Sequence, residues 1–472
     1  MKIKKIILKK HAFFGDIEFD FTNSRGQIAN NIVLAGENGC GKTQLLNVIF
    51  DFSRIPTDGI VSDEEREFIV SLSPSEIELI NSSLDDKHKL IEFNGEMVIT
   101  QNFNAQPNYW SRVVAYYQYT DETGNFITKN IDSHSFFGNE KVKSVFKSIF
   151  STVEINYNPQ ETSSVTSKEV DENVHTSIRS NLNLATEIQQ LLIDIQSNDA
   201  IELQKWVDEN PNIIPPENVK NRRIKRFKTA FSRVFTHLNF YGIKNQNGKK
   251  KVYFKKYDQD IDIASLSSGE KQIVFRGAFL LQNQQSSKGT LVLIDEPEIS
   301  LHPIWQTKIF DYYRKLFTES DNTQTSQVFI ATHSEYVLKE ALKNPDDTLV
   351  IVLHNDGNIE LTNVTTPTFL PIITSAEVNY LAFGIISNDY HIQLYSYLQN
   401  RENKHKVKDF DDYIKSQPAY IPTLHRKPST NPYGTPYETL PTYIRNAIDH
   451  PDSGNTFTIE ELETSIKLLT SL

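Results

Sequence analysis

The sequence contains one cysteine, two methionines and three tryptophans in 472 residues, and it has no long apolar run. The single thiol, Cys40, excludes an internal disulfide and any zinc site built from several cysteines, and it fits a reducing compartment. No apolar stretch approaches the length that a bilayer-spanning helix needs, and the run at 6–8 is too short for the core of a signal peptide. We therefore expect a cytoplasmic protein that does not bind membranes.

The net charge excludes little. Lysine and arginine total 49 and aspartate and glutamate total 60, which gives a formal charge of −11 at pH 7. Such a chain is not coated with basic surface, yet an acidic protein can carry a local basic groove, so nucleic acid stays open as a partner. The length exceeds that of one ordinary core and predicts two or three domains.

The strongest motif is a glycine-rich stretch that follows the apolar run at 32–35 and precedes a helical-looking segment. Its residues fit the pattern G-x-x-x-x-G-K-T of a phosphate-binding loop, in which successive backbone N–H groups point into one anion-sized nest. In such a loop Lys42 reaches the β- and γ-phosphates of ATP, and the Thr43 hydroxyl binds Mg²⁺. The loop consists of Gly36, Glu37, Asn38, Gly39, Cys40, Gly41, Lys42 and Thr43.

Alternating and helical patterns predict the elements around this loop. Residues 3–21 form two short strands joined by a turn at 15–16. The polar stretch 158–176 predicts a mobile surface loop, and a helical hairpin with its turn at 197–199 follows it. The other elements predicted before residue 220 are helices at 43–52, 63–71 and 74–83 and strands at 90–93, 97–101 and 112–118.

Two basic runs, at 220–228 and 249–251, raise the question of nucleic-acid binding. On a helix, the apolar residues of the first run would face a core while Arg222, Arg223 and Arg226 stay in water. A solvated helix face is the favoured interpretation, and a contact with nucleic acid is the open alternative. The second run follows Gly248 in what looks like a hairpin turn and has the same ambiguity.

Three later stretches resemble the remaining motifs of the ABC ATPase superfamily. The stretch from Leu266 to Gln272 resembles the L-S-x-G-[EQ] signature at the start of a helix, where partial positive charge accumulates. The resemblance implies that Ser267 and Gly269 contact the γ-phosphate held by the loop of a second copy, so that two chains share one nucleotide. By itself the stretch is also explained as a helix cap.

The stretch 291–298 is an apolar strand that ends in paired carboxylates, as in a Walker B segment of the ABC type. Asp295 would hold Mg²⁺ through water, and Glu296 would accept a proton from the attacking water. A further strand at 328–331 leads into the switch-histidine segment, where His333 would sense or stabilise the γ-phosphate. Gln118, at the end of the strand from 112, is the candidate for the glutamine that joins Mg²⁺ to the attacking water.

The pattern D-E-P-E-x-x-L-H-P is characteristic of the OLD, RecF and SMC-like ATPases rather than of membrane transporters. The resemblance covers about residues 1–50 and 225–360, and it implies an α/β fold: a P-loop ABC-ATPase head of mixed sheet flanked by helices. The segment between the phosphate loop and the signature is too short for the coiled-coil arms of SMC proteins, so we expect a compact helical insertion. The predicted parts are the head at 1–55 and 221–372, the insertion at 56–220, which consists partly of strands of the head and of a short helical hairpin, and a helical C-terminal domain at 373–472.

The predicted C-terminal domain contains Arg445 and His450 in the order R-N-x-x-x-H, which is similar to the R-x-x-x-x-H motif of HEPN ribonucleases. Such a centre needs an arginine for the scissile phosphate and a histidine to move a proton at the ribose 2′-hydroxyl. With two fixed positions the pattern is common by chance, so a structural or partner-docking helix is the favoured interpretation.

A small ABC-type ATPase with a short insertion and a helical tail resembles the ATPases of bacterial anti-phage systems such as Septu and retrons. That resemblance implies an ATP- and Mg²⁺-dependent regulator that forms homodimers or larger assemblies and restrains a separate effector nuclease. Two alternatives stay open: an ATP-gated ribonuclease that acts through its own tail, and a DNA-repair ATPase of the RecF kind.

Overall fold

The computed structural model describes residues 1–23, 25–55, 62–91, 95–103, 112–153, 155–172, 176–220, 222–283, 289–319, 322–364, 368–430 and 434–472. Its strands are β1 Lys2–His11, β2 Gly15–Asp20, β3 Asn31–Ala35, β4 Glu65–Ser71, β5 Glu96–Asn102, β6 Val113–Thr120, β7 Phe126–Ile131, β8 Ser148–Ser151, β9 Ile178–Arg179, β10 Leu238–Gln246, β11 Lys249–Lys256, β12 Gln259–Asp262, β13 Leu291–Asp295, β14 Gln327–Ala331, β15 Thr348–Asn355, β16 Ile359–Val364, β17 Arg426–Thr430 and β18 Pro436–Thr439.

The helices are α1 Lys42–Phe52, α2 Pro74–Asn81, α3 Ser133–Phe137, α4 Glu140–Val145, α5 Leu184–Glu209, α6 Glu217–Lys220, α7 Lys225–Val234, α8 Ser268–Leu281, α9 Pro303–Leu316, α10 Glu335–Ala341, α11 Ser375–Phe383, α12 Asn388–Arg401, α13 Val407–Ser416, α14 Pro422–His425, α15 Leu440–Asp449 and α16 Ile459–Thr470. The chain folds into two units, Met1–Asn363 and Val364–Leu472. The division lies a few residues before 373, where the sequence predicts the start of the C-terminal domain.

A seven-stranded sheet in the order β16-β15-β3-β14-β13-β8-β9 forms the centre of the first unit. The neighbours from β15 to β9 pair in parallel. Every residue of β3, β13 and β14 is buried, as expected for parallel strands that are covered on both faces. The carboxyl ends of these three strands therefore meet at one edge of the sheet.

A six-stranded antiparallel sheet in the order β2-β1-β4-β5-β6-β7 lies in the same unit. Helix α1 connects the two sheets through its aromatic side chains. The Phe52 ring stacks on Phe68 of β4 with centroids 3.9 Å apart, and Phe50 lies 5.7 Å from Phe150 of β8. The helix that follows the phosphate loop is therefore fixed on both sides, and the predicted α/β fold with a mixed set of sheets is confirmed.

Two predicted helical features of the insertion are wrong. The predicted helix at 63–71 is the strand β4, in which Arg66, Phe68 and Val70 are buried at every second position. The predicted hairpin is one continuous helix, α5. The polar group at 197–199 looked like a turn, but the buried Asp199 carboxylate accepts the backbone N–H groups of Arg223 and Ile224 and so joins α5 to the segment before α7.

The sequence predicts strands together with a short helical hairpin in the insertion, and strands are present. The described part of the insertion contains β4 to β9, so strands outnumber long helices there. The stretch 155–172 has no helix and forms only the isolated bridge of Thr162 with Lys250, while residues 173–175 lie outside the described chain. In the strand predicted at 90–93, residues 90–91 belong to no strand and residues 92–93 lie outside the description.

The second unit is mainly helical, with α11 to α16 and the antiparallel pair β17 and β18. Its core contains Tyr395, Phe410, Leu394 and Ile466, and the Tyr395 and Phe410 rings meet edge to face at 4.7 Å. In the parts of the chain that the structure describes, no helix is both long enough and apolar enough to cross a lipid bilayer.

Truncation of a buried side chain on α5 tests how this helix packs. Leu192 is fully buried and Ile201, on the same helix, is 54% exposed. Because the first change leaves a cavity, we expect Leu192→Ala to lower the free energy of unfolding by about 2–5 kcal/mol. Ile201→Ala is the matched control and should cost well under half of that in urea denaturation. Equal losses would contradict the packing of α5.

Candidate nucleotide site

The phosphate loop begins where β3 ends, and its glycines have conformations that other residues rarely adopt. Gly36, Gly39 and Gly41 have φ of +132°, +81° and +102°. A Cβ at Gly36 would lie 2.2 Å from the backbone oxygen of Leu353, and a Cβ at Gly41 would lie 2.5 Å from the Phe13 ring. Glycine is thus required both by the turn and by the close approach of its neighbours.

Lys42 is folded into the loop. Its ammonium donates to the backbone oxygens of Gly36 and Glu37, each at 2.8 Å, and lies 3.7 Å from the Cys40 sulfur. Only 5% of the residue is exposed, whereas Glu37, Asn38 and Gly39 are exposed at the rim of the loop. The lysine thus sits at the centre of a loop whose rim is open to solvent, which suits the binding of phosphate oxygens.

Thr43 and Asp295 meet at the edge where the parallel strands end. The register places Asp295 opposite Ala331 and Ala331 opposite Leu34. The Thr43 hydroxyl lies 2.9 Å and 3.2 Å from the two carboxylate oxygens of Asp295. Hydroxyl and carboxylate oxygens are ligands that Mg²⁺ prefers, so this pair could hold the ion beside the loop.

Asp295 is 3% exposed, and burial raises the pKa of its carboxyl to about 6. Burial is the largest cause of this rise in pKa and the charge of Glu296 adds to it, while the hydrogen bond from Thr43 and the charges of Arg276 and Lys42 act in the opposite direction. The surroundings of this carboxylate therefore disfavour its ionised form, and a bound cation would compensate that charge.

Glu296 follows Asp295 in a left-handed backbone conformation, with φ of +44°. Its backbone N–H donates to Ala331 O at 2.9 Å, and one of its carboxylate oxygens lies 3.4 Å from Nδ1 of His333. The structure thus brings together the two residues that the sequence assigns to catalysis. A left-handed non-glycine residue carries backbone strain, and such strain occurs often at functional sites.

Glu298 also belongs to the site, although no motif assigns it a role. The residue is 4% exposed, and its Oε1 accepts the Thr332 hydroxyl at 2.6 Å and the His333 N–H at 2.8 Å. The same oxygen lies 3.6 Å from Nδ1 of His333. The second glutamate of D-E-P-E could have indicated this role, because a carboxylate so close to a buried strand needs hydrogen-bond donors.

The signature stretch forms the start of α8, with Ser267 exposed at the N-cap. Ser267 and Glu270 form a reciprocal capping box. Burial raises the pKa of the Glu270 carboxyl, but hydrogen bonds from Lys256, Ser267 and His237 outweigh it and bring that pKa to about 2. A Cβ at Gly269 would lie 2.8 Å from Ser300 O, so the signature packs closely on the segment after Glu296.

Gln118 lies outside this site. It pairs with Glu96, which pairs with Ser71, which pairs with Lys2 at the start of β1. The phosphate loop is near the opposite end of β1, and a ten-residue strand spans roughly 33 Å. The predicted contact with Mg²⁺ is therefore not possible in this fold, and β8 rather than β6 is the strand beside β13.

The basic runs are engaged in ion pairs. Arg223 contacts Glu169, Asp199 and Glu202, and Arg226 contacts Asp171 at 2.8 Å. Arg222 lies 3.6 Å from Glu202 and is largely exposed. In the second run Lys249 pairs with Glu161 and Lys251 with Asp262. Arg223 and Arg226 are thus neither solvated nor free to bind phosphate, and they serve the packing of this unit.

The contacts of Arg445 lie within α15, and His450 lies at the end of that helix. The Arg445 guanidinium donates to Asn446 and pairs with Asp449 at 2.7 Å. His450 is exposed and follows the end of α15, with its backbone N–H bonded to Asn446 O. This geometry is that of an arginine paired along its own helix and of a helix C-terminus.

The chain is similar to a protein family and to several solved structures. A protein-family model described as "AAA domain, putative AbiEii toxin, Type IV TA system" matches residues 32–339. No curated protein sequence matches the chain. Among solved structures, an SMC head bound to the C-winged helix domain of ScpA has 12% identity and a TM-score of 0.43, covering 78% of this chain and 99% of that chain.

Two further solved structures are similar at the same level. The SMC head domain with an extended coiled coil, bound to the C-terminal domain of ScpA from Pyrococcus furiosus, has 12% identity and a TM-score of 0.41, covering 77% of this chain and 96% of that chain. The SMC head domain from Thermotoga maritima has 13% identity and a TM-score of 0.33, covering 78% of this chain and all of that one.

The raised pKa of Asp295 predicts a pH-dependent stability. Its ordinary value is 3.8 and its folded value is about 6, so between these values the folded state binds more protons and loses stability as pH rises. Above pH 6 the ionised carboxyl costs the metal-free fold about 3 kcal/mol. We expect Asp295→Asn to raise the melting temperature in EDTA at pH 8, with the gain shrinking toward pH 4. A gain that does not vary with pH would contradict this assignment.

Proposed function

The chain belongs to the family described as "AAA domain, putative AbiEii toxin, Type IV TA system", and we propose that it binds ATP with Mg²⁺ at the phosphate loop and hydrolyses it to ADP and phosphate. The observation that carries the proposal is the contact of Thr43 with Asp295 at the sheet edge, with Glu296 and His333 beside it. Phosphoryl transfer to water needs a loop that binds phosphates, oxygen ligands for a cation and a carboxylate next to a histidine, and this site has all three.

Each group has a separate role in this proposal. The loop N–H groups and Lys42 bind the phosphates, and Thr43 and Asp295 would hold Mg²⁺, which neutralises charge on the phosphates when it is bound. Glu296 orients the attacking water and accepts its proton. Glu298 holds the backbone of His333 through the N–H bond described above, so that the imidazole stays next to Glu296.

We infer that the complete site needs a second copy of the chain. Ser267 is exposed at the start of α8, a helix of 14 residues, and its neighbour Gly269 lies against the segment after Glu296. A helix N-terminus attracts anions, so the γ-phosphate held by another chain is the natural ligand for Ser267. Sharing a nucleotide makes the affinity of the two copies depend on the presence of the γ-phosphate.

We also propose that the output of this cycle is regulatory, in an antiviral defence system. The resemblance to the ATPases of Septu and retron systems supports a partner effector nuclease that the assembled ATPase restrains. Loss of the γ-phosphate would loosen the shared interface and so change the hold on the partner. The loss of the γ-phosphate is a local change of charge, and such a change can shift an assembly between two states.

Substitution of the general base tests the catalytic proposal. We expect Glu296→Gln to retain ATP binding, to lower kcat by a factor of about 100 or more, and to accumulate dimers in the presence of ATP. Lys42→Ala should instead lose nucleotide binding. Phosphate release, nucleotide titration and light scattering measure the three properties.

Glu360→Gln is the matched control for this pair, because Glu360 is an exposed glutamate on β16 of the same sheet. It should hydrolyse ATP as the unsubstituted chain does. Undiminished turnover in Glu296→Gln would refute the role of Glu296, and turnover without dimers in any variant would refute the shared site.

Incubation of the purified chain with RNA and ATP separates a regulator from an effector. For a regulator we expect no cleavage. Cleavage that is lost in Arg445→Ala and retained in Arg401→Ala would establish the alternative, a ribonuclease centre in the second unit. Arg401 is a suitable control because it is also ion-paired, to Glu402 at 2.7 Å.

A further inference from the structure

Arg276 is a fully buried arginine in the middle of the signature helix α8. Its guanidinium donates to three backbone oxygens, Asp295 O at 2.8 Å, Glu296 O at 3.2 Å and Thr152 O at 2.6 Å. Burial of a guanidinium is costly unless its donors are used, so these contacts are strongly determined by the fold. No motif in the sequence marks this residue.

Gln272 lies one turn before Arg276 on the same face of α8. Its side-chain amide donates to Pro297 O at 2.9 Å. The two side chains together bond the backbone oxygens of Asp295, Glu296 and Pro297, which are three consecutive residues. The turn that carries the catalytic carboxylate is therefore held from one side by the signature helix.

This turn needs such support because Glu296 is in the left-handed region, with φ of +44°. For a residue other than glycine that conformation is unfavourable, and it persists only where surrounding contacts determine it. The N–H of Glu296 is bonded to β14 through Ala331 O, and its C=O is bonded to α8 through Arg276. Both ends of the residue are thus fixed by different elements.

We propose that Arg276, assisted by Gln272, is a positioning residue that holds Glu296 in its working conformation and ties hydrolysis to the signature helix. The inference rests on the proposed ATPase function and on a second copy engaging Ser267. Because α8 begins at the exposed serine and reaches the Asp295–Glu296–Pro297 turn two turns later, contact of another chain at Ser267 acts on Glu296. Glu296 serves the nucleotide of its own chain, so the two shared sites influence each other.

The test compares Arg276→Met and Arg276→Lys with Arg226→Met. Arg226 bonds Leu281 O at the far end of α8, at 3.1 Å, and pairs with Asp171, so its loss tests stability without touching the turn. We expect Arg276→Met to bind a fluorescent ATP analogue within about twofold of the unsubstituted chain and to lower kcat about tenfold or more. Arg276→Lys should be intermediate, and Arg226→Met should retain kcat.

A double-mutant cycle with Ser267→Ala tests the link to the signature. If α8 transmits the contact, the double variant Ser267→Ala with Arg276→Lys should lose kcat by a smaller factor than the product of the two single losses. Multiplicative losses would overturn the link, and an unchanged kcat in folded Arg276→Met would overturn the positioning role.

A variant that fails to fold does not end the test. Gln272→Leu removes one donor to the turn and leaves the arginine charge in place, and we expect it to lower kcat severalfold with unchanged nucleotide affinity. Unaltered kcat in both Gln272→Leu and Arg276→Lys would also overturn the proposal. Absence of ATP turnover in the unsubstituted chain would refute the ATPase function itself, whereas loss of the Arg276 effect alone leaves that function intact.

Discussion

The parallel pairing of β3, β14 and β13 is the constraint on which the site depends. It aligns Leu34, Ala331 and Asp295 in one row, so the phosphate loop, the histidine segment and the paired carboxylates all leave the sheet at the same edge. None of these segments is close to the others in sequence. A shift of one strand by a single residue would move the Asp295 side chain to the other face and away from Thr43.

Much of this arrangement could be predicted from the sequence. Glycines at fixed spacing, apolar runs that end in carboxylates and a histidine after a strand predict the elements, because each motif contains its own local structure. The contact of Thr43 with Asp295 follows once these strands are placed in parallel. Gln118 is not part of a motif with its own local structure. Its strand belongs to the antiparallel sheet, where the register of the strands decides its position.

The residues that the sequence did not identify act through long-range contacts. Arg276 and Glu298 bond backbone groups of segments that are distant or folded back, and such partners have no sequence pattern. Asp199 was misread for a similar reason, because a buried carboxylate that caps another segment has the same composition as a turn. Arg223 and Arg226 look like a phosphate-binding run until their acidic partners are placed beside them.

The position of Cys40 has a practical consequence. It is the chain's only thiol, it is buried, and its sulfur lies 3.7 Å from the Lys42 ammonium inside the loop. A maleimide can reach this sulfur only when the loop opens, and no other thiol competes for the reagent. The rate of alkylation therefore reports on the closure of the loop in the native sequence, without an engineered label.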